Sequence, residues 1–98
     1  MSLRIAIIED EKNIVKNLKH FIELKTDFQV AFTCESVPMF FDELRSKKNP
    51  DIILLDIGLP HISGLDALPK IKSKLPDVDV IMLTTYDETE TIFKALCL

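Results

Sequence analysis

Pro50-Asp51-Ile52-Ile53-Leu54-Leu55-Asp56-Ile57-Gly58-Leu59-Pro60 decides the fold. Asn49-Pro50 breaks whatever precedes it, and four apolar residues, Ile52 to Leu55, then run without a polar interruption to Asp56. A run this short and this continuous suits a strand buried on both faces, as in a parallel sheet with helices on either side. Upstream, Leu3 to Ile8 is a second such run, stopped by Glu9-Asp10-Glu11. Downstream, Val78 to Leu83 is a third, ending in Thr84-Thr85. Phe28 to Cys34 alternates less cleanly but is rich in Phe and Val, and reads as a strand as well.

Helical stripes separate these runs. Ile14, Val15, Leu18, Phe21 and Ile22 recur at three and four, with Lys16, Lys19 and Lys25 off the stripe. Ser36 is an N-cap with Pro38 in the first turn, where a missing N–H costs little, and Val37, Phe40, Phe41 and Leu44 follow. Arg45, Lys47 and Lys48 suit the end of that helix. Ser63 and Asp66 have capping-box spacing ahead of Leu65, Leu68, Ile71 and Leu75; Pro69 inside predicts a kink or a weakened first half. Thr85 and Glu88 have the same spacing, which predicts a fourth helix through Ile92, Phe93 and Leu96.

Strand and helix therefore alternate four times within one domain, residues 1–98. A (βα) barrel needs eight units and about 250 residues. An open, doubly wound α/β sheet is the expected architecture. The charges agree with a globular domain that leaves nucleic acid alone: 12 Lys plus Arg against 16 Asp plus Glu give −4, and residues 51–98 hold the whole acidic excess, with 4 basic and 8 acidic side chains. No basic stripe is present that could neutralise a phosphate backbone. No apolar run approaches the ~20 residues that span a bilayer, and no leader-like segment opens the chain. Cys34 and Cys97 lack metal-site or disulfide-framework spacing and read as reduced thiols of a cytoplasmic protein.

In an open α/β sheet, ligands bind beyond the C-terminal strand ends. Those ends carry Glu9-Asp10, Asp56 and Thr84-Thr85, so three carboxylates and two hydroxyls would meet in one shallow cleft. One acid after a strand is commonplace, whether as a helix cap or as a solvated residue. Acids at two ends and hydroxyls at a third are a coincidence worth a function. Oxygen donors of this kind favour Mg²⁺ over zinc. His20 reads as a surface residue and His61 as a loop residue near Asp56, neither with a partner at metal or triad spacing.

Ile7-Ile8-Glu9-Asp10-Glu11, Ile53 to Pro60, Ser63-Gly64 and Ile81-Met82-Leu83-Thr84-Thr85 together resemble the receiver domain of two-component response regulators. The Leu-Pro and Ser-Gly placement resembles the LuxR/NarL-like branch, which usually carries a helix-turn-helix output domain. The resemblance implies a flavodoxin-like sheet of strand order 2-1-3-4. It implies a phosphoacceptor, Asp56, and an Mg²⁺ site of Glu9, Asp10, Asp56 and the Gly58 carbonyl. Thr84, with Thr85 beside it, would grip the phosphoryl oxygens, and Pro60 and Gly64 would shape the loop. The donor would be a sensor histidine kinase in a phosphorelay, the output transcription regulation, and the chain a phosphoprotein rather than an enzyme.

The family's fifth βα unit, with its lysine and its aromatic switch residue, has no counterpart here: the chain reaches Leu98 where the fourth helix should be finishing. A continuing Gly-Ala-containing stretch with a downstream lysine would complete the pattern. Without it, strand four is expected at a bare hydrophobic edge, open to homodimerisation through that edge or the fourth helix. Acetyl phosphate is expected to modify Asp56 poorly or not at all. Two enzyme or cofactor readings fit worse. An Asp-nucleophile hydrolase needs Asp-x-Asp after strand one, and a flavodoxin-like nucleotide binder needs a phosphate cradle where this chain has three acids. The serious rival is a receiver-like interaction module that works without phosphorylation.

Overall fold

The computed structural model describes residues 2–60, 62–85 and 93–97. The elements in order are β1 (Arg4–Ile8), α1 (Lys12–Lys25), β2 (Gln29–Cys34), α2 (Val37–Leu44), β3 (Ile52–Asp56), α3 (Gly64–Lys74), β4 (Asp79–Thr85) and β5 (Phe93–Cys97). The sheet order is β2-β1-β3-β4-β5. The first four strands are parallel, in the expected order 2-1-3-4. Strands β1 and β3 lie centrally, which is why their apolar runs are continuous.

Each face has its own core. On one, α2 and α3 bury Val37, Phe40, Ala67 and Ile71 against Ala6, Ile8, Ile53, Leu55, Val80 and Met82. On the other, α1 sets Ile22, with Val15 and Leu18, against Ile5, Ile7 and Leu54. The caps form as the sequence implies: Ser36 Oγ accepts from the Met39 amide at 3.3 Å and Ser63 Oγ from Asp66 at 3.2 Å. Pro69 is exposed inside an α3 that runs unbroken from Gly64 to Lys74. No helix among the described residues is long and apolar enough to cross a membrane.

Three expectations need correction. The fourth helix is the largest. Its cap pair and Ile92 involve residues outside the described ones, but Phe93 and Leu96 lie in β5, a strand. Strand β5 pairs antiparallel with β4, from Thr85 opposite Phe93 to Ile81 opposite Cys97. The physical reason is the row of peptide groups along β4, which helix formation would leave unpaired; β5 satisfies them, so β4 is not the bare edge expected. Phe21, counted in the α1 stripe, is 60% exposed, because it stands about 60° around the helix from Leu18, at the rim of the stripe. Leu65 is 55% exposed for the same reason: the buried side of α3 centres on Ala67 and Ile71.

Candidate functional site

Strands β1 and β3 are neighbours in register, Ile8 beside Leu55, so the residues that follow each emerge at one rim. The acids lie there as the sequence suggested. Glu9, Asp10 and Asp56 each bring a carboxylate oxygen to within 4.8 Å of the other two. Their exposures differ, because successive residues at a strand end point to opposite sides. Glu9 is 3% and Asp56 8% exposed, whereas Asp10 faces solvent. Four backbone amides hold this rim. The Glu9 amide donates to the Cys34 carbonyl at 2.9 Å, and the Ile57 amide to Leu83 at 3.1 Å. The Gly58 amide donates to Asp56 Oδ1 at 3.1 Å, and the Asp10 amide to Glu9 Oε2 at 3.0 Å.

Buried acids this close cannot all stay charged without a counter-ion. Burial first, and then the hydrogen bond and charge of Asp56, push the Glu9 carboxyl up to about 9, with the charge of Asp10 adding and the Asp10 amide pulling the other way. Among the described residues the only salt bridge joins Lys47 to Glu43 at 3.4 Å, on α2 and just past its end, so no Lys or Arg among them pairs with the cluster. A set of hard oxygen donors with an uncompensated charge fits a small divalent cation, and Mg²⁺ takes one or two carboxylates while keeping waters.

The other candidates divide. Thr84 and Thr85 lie at the C-terminal end of β4, and Thr84 follows the Leu83 carbonyl that holds Ile57. Gly58 and Pro60 are exposed in the loop after β3, and His61 is outside the described residues. His20 is exposed, as read from the sequence, and Cys34 is a buried free thiol. A Cβ on Gly58 would meet only Asp56 Oδ1, at the ordinary contact distance of 3.9 Å. Gly64 is different, because a Cβ there would overlap the Asp56 carbonyl. The sequence named Gly64 as a loop residue but carried no signal for that contact.

Comparison with known proteins agrees with this geometry. The family model for the response regulator receiver domain matches residues 5–98. The transcriptional regulatory protein CitT of Halalkalibacterium halodurans is 33% identical over 94 residues, 95% of this chain and 41% of CitT. DegU of Brevibacillus brevis is 30% identical over 96% of this chain and 39% of its own length. The chain thus spans less than half the length of these curated relatives. Among solved structures, a DNA-binding response regulator of the LuxR family from Staphylococcus aureus superposes with a TM-score of 0.72 at 27% identity, over 88% of this chain and 71% of that one. A LuxR-family response regulator from Aurantimonas sp. gives 0.78 at 20% identity, over 89% and 61%, a likeness of fold. The strand order, the acids at the rim and a family match spanning nearly all 98 residues converge: this chain belongs to the receiver domain family of response regulators.

Proposed function

We propose that this receiver domain accepts a phosphoryl group on Asp56 from a sensor histidine kinase, and that the modified domain switches an output, transcription in a longer protein of the type its relatives represent. The observation that carries the reading is the convergence of three carboxylates within 4.8 Å, with Asp56 almost buried beside them.

An Asp56 oxygen attacks phosphorus, the donor's phosphorus–nitrogen bond breaks, and the electron pair returns to the donor imidazole. A carboxylate is a weak nucleophile, but phosphoryl transfer asks mainly for position and charge neutralisation. The Gly58 amide fixes one Asp56 oxygen. Glu9, Asp10, Asp56 and the Gly58 carbonyl would hold Mg²⁺, which supplies charge neutralisation between the acids and the incoming group. Phosphorylation adds charge of about −1.5 to −2, by analogy with phosphorylated hydroxyls. Thr84 and Thr85, at the C-terminal end of β4, are the hydroxyl-bearing residues we assign to it, and Pro60 and Gly64 those that shape the loop after Asp56. Such a step is regulatory rather than enzymatic, and the setting we assign it is the cytoplasm, where the kinase's catalytic part works.

Intact-mass and peptide mass spectrometry after incubation with acetyl phosphate and Mg²⁺ tests this. No residue of the 98 matches the family's lysine, so labelling is expected to be poor or absent, with any label confined to Asp56 and lost in Asp56→Asn; rapid stoichiometric labelling contradicts this expectation. Labelling elsewhere contradicts the assignment. A parallel Mg²⁺ titration separates the readings: weak binding that Asp56→Asn weakens further supports the phosphoacceptor site, and no Mg²⁺ response favours the phosphorylation-independent interaction module.

A further inference from the structure

We infer that Gly64 is a positioning residue for Asp56: the missing side chain lets the first turn of α3 press on the phosphoacceptor's own peptide group and fix the carboxylate in its metal-ready place. The inference rests on the phosphoacceptor reading.

Gly64 is the first residue of α3, behind the Ser63 cap. Local preference argues against glycine at a buried helical position, since alanine forms helix better and loses less entropy on folding. Space argues for it. A Cβ would overlap the Asp56 carbonyl oxygen and stand 2.9 Å from the Asp56 carbonyl carbon and 3.0 Å from Ile57 Cα. All three are backbone atoms, which cannot rotate aside as a side chain would. The Gly64 amide also donates to the Ile57 carbonyl at 2.9 Å, closing the loop 57–64 on itself.

The same short segment carries the groups that define the site. Asp56 hangs from the peptide that Gly64 touches, and the Gly58 amide that holds Asp56 Oδ1 lies two residues on. Any side chain at 64 must push α3 and the Asp56–Ile57 backbone apart by roughly 1 Å, a shift large enough to spoil a preorganised site. Residues that orient a ligand from behind typically cost 10–100-fold in metal affinity when lost. Gly64 belongs with them, although it touches neither cation nor phosphoryl group.

The test compares Mg²⁺ affinity, followed by amide NMR shifts, in the unsubstituted chain, Gly64→Ala and Ile71→Val. Ile71 is fully buried on the same helix, seven residues or about 10 Å along it from Gly64, so its truncation lowers stability without altering the Gly64–Asp56 contact. Gly64→Ala should weaken Mg²⁺ binding roughly tenfold or more, while Ile71→Val, although less stable, stays within about twofold of the unsubstituted chain. Equal affinity in Gly64→Ala overturns the inference while leaving the phosphoacceptor reading intact. No Mg²⁺ response in the unsubstituted chain overturns both. If Gly64→Ala does not fold, the titration of the unsubstituted chain decides. The Gly64 amide must shift together with those of Ile57 and Gly58, and a silent Gly64 refutes the coupling.

Discussion

In the absence of Mg²⁺, raising the pH from 6 to 8 should destabilise this domain markedly, and one side chain should account for it. The Glu9 carboxyl is pushed from 4.5 up to about 9 by burial and by Asp56. Between those values the native state holds a proton that the unfolded chain has released. Stability from this group is therefore fully present below pH 4.5 and is lost as pH rises toward 9. Within that window the loss is about 1.4 kcal/mol per pH unit, or about 2.7 kcal/mol between pH 6 and 8. For a domain of this size that lowers Tm by about 10–20 °C. Cys34, pushed up to about 11 by burial, stays protonated throughout and adds nothing. Circular-dichroism melts in EDTA at half-unit steps read the slope directly. Glu9→Gln, neutral at every pH, should flatten it. In the unsubstituted chain, Mg²⁺ at a hundredfold over Kd should restore about 2.7 kcal/mol at pH 8. Equal Tm values at pH 6 and 8, or an unchanged slope in Glu9→Gln, would refute the reasoning.

Other consequences follow from single residues. Asp56→Asn keeps an acceptor for the Gly58 amide but removes a charge beside Glu9, so the metal-free variant should melt higher than the parent at pH 8. Phe40, fully buried between the sheet and α2, should cost about 3–5 kcal/mol as Phe40→Ala in urea titrations. Ser36→Ala removes the α2 cap and should cost about 1 kcal/mol by the same assay. Ala95→Pro removes an amide from β5 opposite Leu83; faster hydrogen exchange at the β4 amides is expected if β5 pairs there, and unchanged exchange argues against that pairing.

Most of the fold was legible because two central strands are apolar on both faces, and a run such as Ile52 to Leu55 admits few other readings. The rim was legible because acids closing buried strands must emerge where the strands end. What failed did so for reasons of context. Ile92, Phe93 and Leu96 carry helical spacing, yet the open hydrogen-bonding groups of β4 take Phe93–Cys97 as a strand, and no local pattern records a neighbour's unpaired edge. Phe21 and Leu65 sit at the margins of their stripes, where period alone cannot separate buried from exposed. The sequence placed Glu9 and Asp10 together as equals, whereas the strand end turns one into the interior and the other to water. Gly64 needed coordinates, because its reason is an atom eight residues away in the chain.

The most direct measurement is a Mg²⁺ titration of the isotope-labelled chain and of Asp56→Asn, followed residue by residue in amide NMR spectra. A single saturable site is expected, with the largest shifts at Glu9, Asp10, Asp56 and Gly58, and a marked loss of affinity in the variant. Shifts centred away from that rim, or an Asp56→Asn protein that binds as tightly as its parent, would contradict it.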